Sequence, residues 1–191
     1  MPDRNSVMVE NAASLNTQAI ELAENGNFTE AIACLKRAIS IEKYNYLLWY
    51  NLGITYRDAG NLNDAKLALL KAHEIEEEDD EVIETLALVC FNQNSYEEAM
   101  AYCLEGLSKN SKNAHLWNTL GVIYFNTNDF PLACEAFENA VTINSYYYDA
   151  LFNLRDTYEE LGNKAGFQMC VEQMKNIQLG ENSFNSEGVD A

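Results

Sequence analysis

The side chains best suited to metal or thiol chemistry are few and scattered along the chain. The two histidines are His73 and His115, and the five cysteines, none in a Cys-x-x-Cys pair, are Cys34, Cys90, Cys103, Cys134 and Cys170. A zinc site needs about four such ligands brought together by short spacings. We therefore predict no metal site and interpret the cysteines as small apolar residues in a reducing compartment.

Carboxylates are the other groups capable of chemistry, and they set the charge of the chain. Aspartate and glutamate total 30 against 12 lysines and arginines, a formal net charge of -18. This charge repels nucleic acid and anionic membranes, so we expect neither as a partner. It mildly favours a basic partner, although solubility alone also explains it.

Catalytic motifs are absent from the sequence. It has no Gly-rich phosphate loop, no Gly-x-Ser-x-Gly elbow and no paired-histidine zinc motif. We expect no catalytic residue and no cofactor, and catalysis is the least favoured class of function for this chain.

The elements that would position any site show a repeat. Trp49, Leu52, Gly53 and Tyr56 recur 68 residues later as Trp117, Leu120, Gly121 and Tyr124, which is twice a period of 34. The intermediate blocks give repeats over residues 12–45, 46–79, 80–113, 114–147 and 148–181. With only two prolines in the chain, each repeat is predicted to be a pair of helices.

Small residues recur at the places where two helices would meet. In the first helix of repeats one to four they are Ala19, Gly53, Ala87 and Gly121, and facing them in the second helix are Ala31, Ala65, Ala99 and Ala133. Large side chains follow as plugs at Leu35, Leu69, Cys103 and Phe137. Only small side chains allow helix backbones to approach closely, so the pattern predicts tight hairpins.

Turn and cap residues lie between the two predicted helices of each repeat. The N-cap candidates are Asn27, Asn61, Ser95, Asp129 and Asn163. They follow Gly26, Gly60, Asn94, Asn128 and Gly162, which suit a left-handed backbone at the end of the first helix.

The Trp, Leu-Gly, Tyr and alanine pattern resembles that of the tetratricopeptide repeat (TPR) family. The resemblance implies an all-α fold, a right-handed α-solenoid (superhelix) of antiparallel helix pairs. Residues 1–11 are expected to form a flexible N-terminal segment and residues 182–191 a disordered tail. Repeat five has Arg155, Phe167 and Met174 where the other repeats have small residues, and we interpret it as a cap.

The resemblance also implies where a partner would bind, because first helices line the inside of such a superhelix. Residues at the second, fifth, ninth and twelfth places of a repeat then share one helix face. Ile20, Ile54, Leu88 and Val122 would form an apolar row there. The full predicted partner-binding set is Asn16, Ile20, Tyr50, Asn51, Ile54, Arg57, Glu84, Leu88, Phe91, Asn118, Val122, Phe125 and Phe152. The alternative is that these side chains fill one another's space as core.

The sixth place of each repeat holds a residue that can form hydrogen bonds: Thr17, Asn51, Thr85, Thr119 and Asn153. The row is similar to a reduced form of the asparagine ladder with which some TPR arrays hold a peptide main chain. Ordinary helix-surface polarity is the alternative.

One family-specific partner is predicted to be absent. TPR co-chaperones hold the acidic C-terminal tail of heat-shock chaperones with a clamp of lysines, an arginine and asparagines. Of that clamp only Asn51 matches here, and the basic places hold residues such as Asn16, Tyr50 and Glu84. No set of cations is available to pair with a carboxylate.

The sequence thus favours a non-enzymatic scaffold or adaptor that binds a partner peptide or amphipathic helix in its groove. The alternative is a self-associating protein, a homo-oligomer through an exposed stripe of repeat five, namely Phe167, Cys170, Val171, Met174 and Ile177. The acidic run at residues 74–81 is interpreted as a solvated turn, with docking of a basic segment as the alternative. We expect no membrane insertion and a cytoplasmic location, since neither a long apolar segment nor a signal-peptide core is present.

Overall fold

The computed structural model describes residues 11–186, and all of its regular structure is helical. The ten α-helices are α1 (Ala12–Glu24), α2 (Phe28–Ile41), α3 (Tyr46–Asp58), α4 (Leu62–Ile75), α5 (Asp80–Asn92), α6 (Tyr96–Lys109), α7 (Ala114–Asn126), α8 (Phe130–Ile143), α9 (Tyr148–Glu160) and α10 (Lys164–Ser186). The odd-numbered helices begin at the first residues of the five predicted repeats. Within the described range no residue is in a β-strand.

The chain divides into two compact units. Unit 1 ends at Gln93 and contains α1 to α5, and unit 2 begins at Asn94 and contains α6 to α10. In unit 1, α1 pairs with α2 and α3 with α4, and α5 packs on α4; the first helices α1, α3 and α5 are also neighbours. In unit 2, α7 pairs with α8 and α9 with α10, α6 packs on α7, and α7 contacts α9.

Close helix contacts form where the small residues predict them. A Cβ atom added to Gly53 would lie 2.5 Å from Leu69 Cγ, and one added to Gly121 would lie 2.6 Å from the Phe137 ring. The facing alanines Ala65 and Ala133 are fully buried. The tight hairpins predicted from the repeat are confirmed at these positions.

The turns inside the hairpins have the predicted left-handed backbone. Gly26, Gly60 and Gly162 have φ of 76°, 78° and 67°, and Asn94 and Asn128 have φ of 59° and 62°. A helix can end within one residue in this conformation, and so the second helix folds back at once.

The predicted N-caps are only partly confirmed. The side chains of Asn61, Asp129 and Asn163 accept a backbone N–H from the first turn of the second helix. Asn27 and Ser95 occupy the predicted N-cap positions of α2 and α6 but make no such bond, so only the side-chain bond is wrongly predicted for these two. The main chain closes the turn with or without the cap bond, because the N–H groups of Asn27 and Asn61 donate to the Leu22 and Tyr56 carbonyls, both at 2.8 Å.

Two further boundaries differ from prediction. Asn11, assigned to the flexible segment, is the N-cap of α1 and accepts from Ser14 N at 2.8 Å. Helix α10 continues to Ser186, past the predicted start of the disordered tail at residue 182. No proline follows Pro131 to stop the helix. Residues 1–10 and 187–191, which belong to the same two predictions, lie outside the described residues.

The acidic run at residues 74–81 forms the end of α4, a turn and the start of α5. Asp79 caps α5 by accepting from Val82 N at 3.0 Å, and Asp80 and Glu81 lie in the first turn. Negative charge is favourable at a helix N-terminus. This local structural role accords with the interpretation of the run as a turn.

The apolar stripe of repeat five packs partly against the preceding helices, with Phe167, Val171 and Ile177 half-buried. Cys170 and Met174 are buried in one cluster with Leu151, Leu154 and Tyr158. In the second helix of repeat five the small residue is Gly166, one residue before Phe167, which stands at the place of the alanines. A Cβ atom on Gly166 would lie 2.6 Å from the Tyr158 ring. The stripe predicted for self-association is therefore not exposed at Cys170 or Met174, because α10 turns it onto α9.

Candidate partner-binding site

The first helices carry apolar side chains that the core leaves accessible. At the ninth place Ile20 is 42% exposed and Leu88 is 39% exposed, and Phe152 at the fifth place of repeat five is 41% exposed. Ile54 and Val122, also at the ninth place, are half-buried. Within each unit these residues lie on first helices that touch one another.

The aromatic residues beside this row are partly core and partly surface. Tyr50, Phe91 and Phe125 are all half-buried. Phe125 packs against the cluster of the last hairpins and meets the Phe130 ring edge-on at 5.3 Å between centroids. Packing against neighbouring side chains thus buries part of the Phe125 ring, and the rest of the ring remains accessible to solvent.

The charged and hydroxyl groups at the predicted site interact with neighbouring residues or are partly buried. The Arg57 guanidinium contacts the carboxylate of Asp58 at 2.9 Å. Burial raises the pKa of Tyr50, while the neighbouring Thr85 hydroxyl and the charge of Arg57 work in the opposite direction. Glu84 is half-buried.

The predicted polar ladder does not form as a row. Thr85 and Thr119 are buried, and the hydroxyls of Thr17 and Thr85 donate to carbonyls one turn earlier in their own helices. A threonine side chain is short, so the nearest acceptor is the carbonyl of residue i−4. The ladder prediction is wrong at these threonines.

Two asparagine pairs join successive first helices instead. Asn51 Nδ2 donates to Asn16 Oδ1 at 2.8 Å in unit 1, and Asn153 Nδ2 donates to Asn118 Oδ1 at 3.0 Å in unit 2. The same bond thus recurs in both units between the fifth place of one repeat and the sixth place of the next. These amides fix the spacing of the helices on which the site is built.

A cleft opens on the first helices of unit 2. Its volume is about 120 Å³, and it is lined by Val122, Phe125, Asn126, Phe137, Asn153 and Asp156. Val122 and Phe125 belong to the predicted set, whereas the other four residues do not. Asp156 could have been found from sequence, because it interrupts the ninth-place row of apolar residues.

Arg155 organises the polar side of this cleft. Its Nε and Nη2 atoms donate to Asp156 Oδ1 at 2.9 and 2.6 Å, and its guanidinium lies 4.0 Å from the centre of the Phe152 ring. An arginine over an aromatic face is attracted by the ring electrons. Arg155, which stands where the other repeats have a small residue, therefore orients two side chains of α9.

A second polar cluster lies between α8, α9 and α10. Tyr158 donates to Glu138 Oε1 at 2.6 Å, and Cys134 Sγ lies 3.4 Å from the same oxygen. Burial and then the charge of Glu138 raise the pKa of Cys134 to about 12, and burial with the Glu138 hydrogen bond raises the pKa of Tyr158. The thiol is therefore protonated at neutral pH and is a poor nucleophile.

All five cysteines are free thiols. Across the described part of the chain no three histidine, cysteine or acidic side chains are grouped as metal ligands. Among the described helices none is both long and apolar enough to span a bilayer.

The repeats match known protein families. Models described as "Tetratricopeptide repeat" match residues 22–89 and residues 114–147. The chain belongs to the tetratricopeptide repeat family. A curated relative, the "Uncharacterized protein ycf37" of Pyropia yezoensis, is 32% identical over 79 residues, which cover 41% of this chain and 44% of that protein. The match therefore spans less than half of the relative's length.

Solved structures establish the fold of this TPR protein. MamA has a TM-score of 0.73 at 23% identity, covering 88% of this chain and 96% of its own. PilF of Pseudomonas aeruginosa has a TM-score of 0.78 at 16% identity, with 86% and 75% covered. YrrB, described as a TPR protein with an unusual peptide-binding site, has a TM-score of 0.66 at 18% identity, with 87% and 86% covered. The chain is an all-α, TPR-like solenoid.

Proposed function

We propose that this TPR protein is a non-enzymatic interaction scaffold that binds a segment of a partner polypeptide on the exposed face of its first helices. The observation that carries the proposal is the exposure of large apolar side chains there, at Ile20, Leu88 and Phe152. Burying such a side chain against a partner gains about 25 cal/mol per Å² of apolar surface. Stacked hairpins offer several of these side chains to one extended or helical segment.

Two further observations support the proposal. The asparagine pairs and helix contacts hold neighbouring first helices together, so their side chains form a preorganised surface within each unit. YrrB, which has a similar fold, is described as having a peptide-binding site.

The cytosol is the proposed site of action. All five thiols are free, and four of them are buried. Free cysteines persist where the compartment is reducing.

Affinity capture with two matched pairs of substitutions tests the proposal. Leu88→Lys with Phe152→Lys places two cations on first helices, and Leu67→Lys with Leu104→Lys places two on second helices, where the leucines are 62% and 50% exposed. All four sites are accessible, so we expect unchanged helicity by circular dichroism. The first pair should lose captured partners from the native extract while the second pair retains them, as identified by mass spectrometry. Equal capture by both pairs would show that the first helices are not the binding face.

A further inference from the structure

We propose that the cleft of unit 2 selects partner segments in which one large apolar residue is followed or preceded closely by lysine or arginine. This inference rests on the proposed function and specifies the chemistry of the partner. It follows from three features of the cleft: an apolar floor, a rim of hydrogen-bond acceptors, and the surrounding charge.

The floor of the cleft fits a single apolar side chain. Phe137, which is buried, lines the cleft together with Val122 and Phe125. At about 120 Å³ the cleft is somewhat smaller than the cavities of about 150 Å³ that hold a benzene ring. The cleft therefore suits one aliphatic side chain of the size of leucine or methionine.

The polar residues that line the cleft, Asn126, Asn153 and Asp156, form a rim with hydrogen-bond acceptors. The amide nitrogens of Asn126 and Asn153 already donate, to the Val122 carbonyl at 2.8 Å and to Asn118 at 3.0 Å. Arg155 engages Oδ1 of Asp156, and Oδ2 of that carboxylate has no hydrogen bond within the described part of the chain. The side-chain oxygens of the two asparagines and Oδ2 thus remain to accept bonds from a partner's N–H groups.

The helices around the cleft carry net negative charge. Helices α7 and α9 hold four carboxylates, Asp149, Asp156, Glu159 and Glu160, and Arg155 is their one lysine or arginine. Arg155 is paired with Asp156 and stacked on Phe152, so it balances only one of the four carboxylates. A cationic residue beside the apolar anchor is therefore attracted and an anionic one is repelled.

The corresponding places in unit 1 lack this chemistry. Repeats one and two have Ala23 in place of Phe125, and Ile54 in place of Asp156, while Asn51 matches Asn153. The amide pair is thus shared by the two units, and the carboxylate belongs to the last two hairpins alone. Selection for positive charge is expected from unit 2.

A displayed library of random dodecapeptides, panned on the immobilised full chain, tests the inference. The variants are Asp156→Asn, which neutralises the rim, and Glu135→Gln, which removes an exposed carboxylate of α8 that neither lines the cleft nor belongs to α7 or α9. We expect wild type and Glu135→Gln to enrich a large apolar residue within two positions of lysine or arginine. Asp156→Asn should keep the apolar residue and lose the basic one.

Fluorescence anisotropy then measures one enriched peptide beside its Lys→Gln analogue. Affinity should fall roughly two- to tenfold for Asp156→Asn and for the analogue, without an added loss when both are combined. A basic preference that survives Asp156→Asn, or no basic preference in the wild type, would overturn the charge assignment and leave the scaffold proposal standing. Failure of the wild type to enrich any peptide, together with unchanged partner capture by the Leu88→Lys and Phe152→Lys variant, would instead contradict the scaffold proposal.

Discussion

At the residue scale, Gly53 and Gly121 lie where the first helix of a hairpin crosses the second. Because glycine has no Cβ atom, the side chains of Leu69 and Phe137 fill the space where that atom would lie. In repeat one the same contact is made by Ala19 and Leu35, which belong to one buried cluster. Within a hairpin, the size of the large side chain on the second helix is therefore matched to the size of the small residue on the first helix.

Substitution of Gly121→Ala tests this matching. Alanine gains about 1 kcal/mol over glycine as a helix former. A Cβ atom 2.6 Å from the buried Phe137 ring should cost more than that, giving a net loss of about 1–2 kcal/mol in the free energy of unfolding by urea titration. Adding Phe137→Leu should recreate the alanine and leucine contact of repeat one, so the double variant should lose less than the sum of the single variants. Strict additivity would show that the two positions are independent.

The Tyr158 hydroxyl predicts a dependence of stability on alkaline pH. Its pKa is raised in the folded chain by burial and then by the hydrogen bond to Glu138. As pH rises above about 10 the unfolded chain loses this proton first. The stability contributed by Tyr158 is thus complete below about pH 10 and declines above it.

Substitution of Tyr158→Phe should therefore have two effects on the free energy of unfolding. It should lower this free energy by about 1 kcal/mol at pH 8, because one hydrogen bond is lost. Between about pH 9.5 and 11 the decline with pH should be shallower than in wild type. Tyr146→Phe, at an exposed tyrosine, is the control and should follow the wild-type curve. A variant with the wild-type slope would exclude Tyr158 as the titrating group.

At the scale of the helices, the repeat in the sequence was sufficient to locate the first helix of every hairpin. The spacing worked because Trp49, Leu52 and Gly53 each have a fixed structural task, such as the indole N–H of Trp49 donating to the Lys43 carbonyl at 2.8 Å. It failed for Thr85 and Thr119, because burial at the sixth place depends on how closely neighbouring first helices pack. The spacing of residues along one helix carries no information about the distance between neighbouring helices.

Two N-cap asparagines, one with and one without a side-chain bond, show whether the bond or the residue type decides the stability of a helix end. Asn163→Ala removes a bond from Gly166 N at 3.1 Å and should cost about 1 kcal/mol in the free energy of unfolding. Asn27→Ala removes the same side chain from a position with no cap bond and should cost less than about 0.5 kcal/mol. Urea unfolding followed by circular dichroism measures both. Equal losses would mean that residue type alone decides the cap energy.

At the scale of the whole molecule, the family and the scaffold role follow from different kinds of observation. The fold was predictable, because it rests on a repeated pattern of small and large residues. The cleft was only half predictable: Val122 and Phe125 belong to the repeat pattern, whereas Asp156 and its arginine partner depart from it. A site that distinguishes one TPR protein from another lies in such departures, since shared positions encode the shared fold.

Site-specific photo-crosslinking in the native extract can show whether partners bind the first helices. A benzophenone amino acid is placed at the position of Phe152 on α9 in one sample and of Leu104 on α6 in another, both accessible in unit 2. After irradiation in the native extract, we predict crosslinked partner at position 152 and none at position 104. Crosslinking at position 104 alone, or equal yields at both positions, would contradict binding by the first helices.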